Sequence, residues 1–79
     1  MSLDKHVKEH VDLGCSDRST ALGFAKMPEG YALMLDHDEA YFYWLRHDGV
    51  QGDTHWDRWA ILKSAKRNDA WVNEWVKSK

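Results

Sequence analysis

The stretch YALMLDHDEAYFYWLRHDG, residues 31–49, decides the fold of this chain. Tyr31 to Asp36 alternates, with Tyr31, Leu33 and Leu35 on one side and Ala32 and Met34 on the other. A period of two is the signature of a strand. His37-Asp38-Glu39 is short and polar and reads as a tight connection. Ala40 to His47 is the strongest strand signal in the chain, because aromatic and branched side chains suit a pleated, half-buried surface. Tyr41, Tyr43 and Leu45 point one way along it, Phe42 and Trp44 the other.

Asp48-Gly49 is the signal for a two-residue hairpin turn, since both positions of that turn need positive φ. It predicts a return strand over Val50 to Trp56. That strand sets Tyr41 opposite Trp56, Phe42 opposite His55, Tyr43 opposite Thr54, Trp44 opposite Asp53 and Leu45 opposite Gly52. Cross-strand aromatic pairs of this kind are worth ~0.2–1 kcal/mol each. Gly52 weakens the strand, so the sheet has three or four members. On the N-terminal side, Met27-Pro28-Glu29-Gly30 is a turn. Thr20 to Met27 reads as a strand with Leu22 and Phe24 on one face, and Gly14 to Thr20 as a loop. Leu3, Val7 and Val11 form a narrow apolar stripe at helical spacing, with Ser2 as the cap and Gly14 just past the end.

From Asp57 the periodicity becomes helical. Trp59, Ile61, Leu62 and Ala65 define one apolar face, and Trp71, Val72, Trp75 and Val76 a second. Asn68-Asp69 can cap a new helix, and the scatter of the tryptophans on one continuous axis favours a break there; the alternative is one helix running through Asn68. The sequence therefore predicts a single α+β domain over 1–79. A short N-terminal helix precedes an antiparallel three- or four-stranded meander, and one or two C-terminal helices pack on the sheet. The expected core is Leu33, Leu35, Tyr43, Leu45, Trp59, Leu62, Val72 and Trp75.

Five tryptophans in 79 residues, all in the second half, are a heavy load for so small an interior. A chain of this size buries only about 60% of its unfolded surface. The third strand is apolar on both faces, and helices from the C-terminal half cover one. The other is either covered by the N-terminal helix or open to a partner or a second copy of the chain. That choice points to a binding role, because Trp and Arg dominate contact surfaces. The expected partner-binding residues are Phe42, Trp44, Trp56 and Arg46, with Asp36, Asp38 and Glu39 as an acidic patch suited to a basic partner.

Net charge is −2, so the whole molecule has no general attraction to nucleic acid. It is unevenly placed: residues 1–40 set four bases against eight acids, residues 41–79 seven bases against five acids. Arg58, Lys63, Lys66 and Arg67 form a basic run flanked by Trp56 and Trp59. Bases interleaved with aromatics suit single-stranded nucleic acid, which makes a nucleic-acid-binding regulator the alternative reading.

Chemistry-bearing motifs are weak. His6 and His10 share a helix face, but a metal site needs further ligands that the local sequence does not supply. His37 and His47 each adjoin an aspartate and His55 has Asp57 two residues on, yet no nucleophile motif, CxxC pair, Walker loop or dinucleotide glycine pattern accompanies them. A His/Asp-dependent or metal-dependent enzyme is the third and least favoured reading, and no cofactor is expected. Cys15 stands alone and reads as a small hydrophobe. There is no apolar run of membrane-spanning length and no secretory h-region after Met1, so a cytoplasmic setting is expected. In general appearance the chain looks like the small acidic inhibitors and adaptors of phages and mobile elements, which bind host proteins.

Overall fold

The computed structural model describes residues 2–77; the side chain of Ser2, expected to cap the first helix, lies outside the described residues. The order is α1 (Ser2–Asp12), β1 (Cys15–Asp17), a 3₁₀ turn (Ser19–Leu22), β2 (Tyr31–Asp36), β3 (Tyr41–Arg46) and α2 (Arg58–Lys77). The three strands form one antiparallel sheet in the order β1-β2-β3. This is an α+β fold with an N-terminal helix and a single C-terminal helix packed on the sheet.

The β2–β3 hairpin forms where the alternation places it, pairing Tyr31 with Arg46, Leu33 with Trp44 and Asp36 with Tyr41. Its connection is held by Asp36, whose Oδ1 accepts the Asp38 N–H at 3.0 Å and the Glu39 N–H at 3.3 Å. Directly opposed residues share a face of a sheet, so the register sorts the core into two halves. Tyr31, Leu33 and Trp44 face α2 and pack with Leu22, Ile61, Leu62 and Ala65. Ala32, Met34, Tyr43 and Leu45 face α1 and pack with Leu3, Val7 and Cys15.

The expected core therefore needs correction. Leu33 and Leu62 lie on one side of the sheet, Tyr43 and Leu45 on the other. Leu35 and Val72 are half-buried, and Trp59 and Trp75 are exposed. The N-terminal helix covers the second face, so the sheet itself offers no open apolar face to a partner. α1 does this with a stripe of only Leu3 and Val7, since Val11 is exposed.

Three local expectations also change. The first strand is Cys15–Asp17, paired with Met34 to Asp36, and not the stretch 20–27. Asp17 Oδ1 accepts the Ser19 N–H at 2.9 Å and turns the chain out of the sheet after three residues. The Ser19 hydroxyl then takes the Leu33 N–H at 3.0 Å, so a side chain replaces the strand that would have continued there. Phe24 consequently stands fully in solvent.

The return segment after β3 makes isolated bridges instead of a fourth strand. Phe42 pairs with His55 as expected, but Leu45 pairs with Gln51 and not with Gly52. The turn closes from Arg46 N–H to the Val50 carbonyl at 2.8 Å, leaving three loop residues with Gly49 at φ +89. That is a three-residue hairpin loop ending in a left-handed glycine, and it moves the register by one residue. Between the two bridges, Gly52 lies against the indole of Trp44: a Cβ there would fall 2.1 Å from Trp44 Nε1.

Finally, α2 runs unbroken through Asn68. Asp57 starts it, its Oδ1 accepting the Trp59 N–H at 3.0 Å. Asn68 does not cap a new helix, because its side chain is already engaged: Oδ1 accepts from the Tyr31 hydroxyl at 2.6 Å and from Arg46 Nη1 at 3.0 Å.

Two substitutions test this packing by urea denaturation. Leu33→Ala removes a fully buried side chain and is expected to cost about 2–5 kcal/mol; a cost below about 0.5 kcal/mol, as at surface sites, contradicts the register. Gly52→Ala drives a methyl into the indole and is expected to cost at least about 1–3 kcal/mol, the usual range for overpacking.

Candidate functional site

Helix α2 has 20 residues, which at 1.5 Å per residue is about 30 Å. The six-residue strands beneath it span only about 20 Å. The helix therefore outruns the sheet, and Asn68 marks where. Its partners Tyr31 and Arg46 are the first residue of β2 and the last of β3, the end of the hairpin. No residue of α2 beyond Ala65 is buried. Yet the apolar pattern continues: Trp71 is 61% exposed, Trp75 50% and Val76 58%, with Val72 half-buried between them.

Under this overhang lies a groove of about 1100 Å³. α2 supplies one wall through Asp69, Trp71, Val72 and Trp75. The opposite wall is Leu3 and Asp4 from the first turn of α1. The floor is the end of the hairpin, with Glu29 and Gly30 before β2 and Arg46, His47 and Asp48 after β3.

The floor is firmly built. Arg46 grips Asp48 with two parallel bonds, Nε to Oδ1 at 2.8 Å and Nη2 to Oδ2 at 2.7 Å. This fork geometry suits a guanidinium and a carboxylate. The Arg46 bond holds the Asp48 carboxyl down to about 2, from an ordinary 3.8, and in return raises the arginine. Burial pushes the Tyr31 phenol above its usual range, with Arg46 pulling the other way. The His47 ring packs against Gly30, leaving no room there for a side chain.

The residues expected to bind a partner are dispersed. Trp44 is 4% exposed, donates from Nε1 to Ser64 Oγ at 3.0 Å, and belongs to the core. Phe42 is half-buried against the same cluster. Trp44 is thus corrected from a contact residue to core, and Phe42 lies at the core's edge. Arg46 lines the groove, but Asp36, Asp38 and Glu39 lie at the far end of the hairpin, about six residues of strand away. Trp56 is 73% exposed and stacks on His55, outside the groove. Sequence reasoning misplaced Trp75 and Val72 into the core. The available signal was length: a 20-residue helix cannot be covered by six-residue strands.

The basic run is displayed elsewhere. Lys63, Lys66 and Arg67 are exposed and, with Trp59, fall at i, i+4, i+7 and i+8, so they share the outward face of α2. The Arg58 guanidinium sits 5.5 Å from the Trp59 ring centroid.

The histidines are mostly engaged with neutral partners. His10 Nδ1 meets the Tyr43 hydroxyl at 2.5 Å, and its Nε2 lies 3.4 Å from Gln51 Nε2. His6 lies 3.6 Å from Glu9, and His55 Nδ1 accepts the Asp57 N–H. Ser16 Oγ and His37 Nε2 are 2.5 Å apart, the spacing of a nucleophile and its base. Among the described residues no group orients the other nitrogen of His37, which is the third element such a pair needs. Nor do the described residues bring together three His, Cys, Asp or Glu side chains able to hold a metal ion. No helix among them is long and apolar enough to cross a membrane.

Comparison of the chain with protein-family models, with curated proteins and with solved structures finds no match.

The Arg46–Asp48 fork makes a testable pH signature. A carboxyl lowered on folding stabilises the fold above its ordinary pKa, and that contribution is lost as pH falls through the folded value. Stability is therefore expected to drop between about pH 4 and pH 2 through Asp48, and Asp48→Asn is expected to flatten that part of the profile. Urea midpoints across this range check it; an unchanged slope in Asp48→Asn contradicts the fork.

Proposed function

We propose that this chain is a small non-enzymatic protein-binding module, an inhibitor or adaptor acting in the cytoplasm, and that its contact surface is the groove under the end of α2. One observation carries the reading. The apolar face of α2 continues through Trp71, Val72, Trp75 and Val76 after the sheet has ended and burial has stopped. Tryptophans in partly enclosed positions are the commonest anchors of protein interfaces. Here two of them stand one helical turn apart over a rigid polar floor.

A second reading has its own support. Lys63, Lys66, Arg67 and Trp59 form a basic, aromatic strip on the outward face of the same helix, a pattern that suits a nucleic-acid backbone. The net charge of −2 weighs against it. Binding through this strip would fall steeply with salt and vanish in Lys63→Glu/Lys66→Glu/Arg67→Glu.

The test is affinity capture from cells of the native host, comparing the unaltered chain with Trp71→Ala/Trp75→Ala after circular dichroism has shown both to be folded. A protein retained by the first is expected to bind the second at least about 30-fold more weakly, the loss of about 2 kcal/mol typical of a hot spot. Equal retention by both sinks the reading. Salt-sensitive binding of DNA or RNA lost only in the triple Glu variant replaces it with the second.

A further inference from the structure

The groove is not electrostatically neutral. It is lined by four carboxylates, those of Asp4, Glu29, Asp48 and Asp69, against one arginine and one histidine. Arg46 is already spent: two of its nitrogens hold Asp48 and a third holds Asn68. Asp48 and Arg46 cancel, and neither has charge left to offer a ligand. Asp4, Glu29 and Asp69 remain, and among the described residues none of them is held in an ion pair. Asp4 is partly offset by the positive end of α1, in whose first turn it sits. The C-terminal end of α2 contributes the opposite sign, because the last carbonyls of a helix carry partial negative charge. On the outer side of Trp71 and Trp75, Glu74 and Lys77 together add no net charge.

We infer, resting on the reading of this groove as a contact surface, that its occupant is a cationic segment of a partner protein, carrying arginine or lysine beside an apolar side chain. The aromatic wall and the acidic rim recognise the same chemistry. An indole face attracts a cation through its quadrupole. A guanidinium is planar and weakly hydrated, so it can stack on a ring while its edge pairs with a carboxylate. Trp71 and Trp75 supply the rings; Asp69 lines the groove from the same helix, and Glu29 lines it from the turn before β2. An anionic segment meets three carboxylates that no ion pair holds among the described residues. A purely apolar segment strips water from those carboxylates and returns nothing, which is costly for charged groups. A cation with an apolar neighbour satisfies both walls, its neighbour resting on Val72 and Leu3.

The probe is a labelled peptide of alternating arginine and leucine, titrated into the full chain while the indole N–H resonances are followed by NMR. Its counterpart of alternating glutamate and leucine is the control. The arginine peptide is expected to shift the Trp71 and Trp75 indoles, and to bind at least about tenfold more weakly at high salt, where exposed charges are screened. Glu29→Gln/Asp69→Asn, which removes two charges and leaves the rings in place, is expected to weaken it by a similar factor. Equal binding of the glutamate peptide, no binding of either, or full affinity in the neutralised variant overturns the inference. Light scattering that shows the chain pairing with itself, in a manner lost in the same variant, also overturns it, by making the basic outer face of α2 in a second copy the occupant. The two readings separate cleanly. A captured host protein lost in Trp71→Ala/Trp75→Ala but kept in Glu29→Gln/Asp69→Asn leaves the groove as the contact surface and removes the cationic partner.

Discussion

The indole of Trp44 joins three pieces of chain that are distant in sequence. Its Nε1–H donates to Ser64 on α2, its ring meets Tyr31 edge-on at 5.3 Å, and Gly52 lies against its Nε1 side. An indole can be buried this deeply only if its N–H finds an acceptor, and Ser64 provides one. The consequence runs in both directions. α2 is fixed over β2 and β3 at one height, and the segment after β3 must pass the ring with a residue that has no side chain. Because α2 is fixed there, Asn68 falls at the end of the hairpin, within reach of Tyr31 and Arg46. Everything C-terminal to Asn68 then lies past the sheet. The overhang and its groove thus follow from where one tryptophan is seated.

The hairpin was legible because its signal is local and strong. Alternation through Tyr31–Asp36 and Tyr41–Arg46 fixes two strands, and a four-residue connection between them permits only the antiparallel pairing. The fold class follows from adding helical periodicity at both ends. The Phe42–His55 pair was also legible, since a turn near Asp48-Gly49 puts them opposite each other. The one-residue slip between that pair and Leu45–Gln51 was not. It depends on Gly49 closing a three-residue loop and on Gly52 yielding to the indole, and neither is visible until the ring's position is known. β1 was missed for a different reason. Three residues carry no periodicity, and what ends the strand is a pair of side-chain hydrogen bonds from Asp17 and Ser19, which compete with the backbone ladder.

The candidate site was misread through an assumption about tryptophan. Apolar spacing at Trp71, Val72, Trp75 and Val76 identifies a face correctly but says nothing about whether a surface exists to meet it. Trp44, the ring taken for a contact residue, is the buried one. Trp71 and Trp75, one of them assigned to the core, are half in water. Periodicity is a property of one element, whereas burial is a property of two. The missing quantity was the length of the sheet, and the break expected at Asn68 concealed it by dividing the helix into pieces short enough to be covered.

A helix end that projects beyond its sheet normally frays, since its last turns have few packing contacts and four unpaired carbonyls. Here the projection starts from a clamp. Asn68 is tied to both strands of the hairpin, and Arg46 is tied in turn to Asp48. Helix geometry is therefore set at the root of the overhang, and Trp71 and Trp75 are presented on a defined face about one and two turns farther on. A large ring also loses little conformational entropy when a partner covers it, because it has only two side-chain torsions. Preorganised anchors of this kind spare an incoming partner part of the ordering cost of association. The same clamp neutralises the only arginine in the floor. The side-chain charge of the groove then comes chiefly from Asp4, Glu29 and Asp69, so the bonds that hold the helix in place also shape the field at its end.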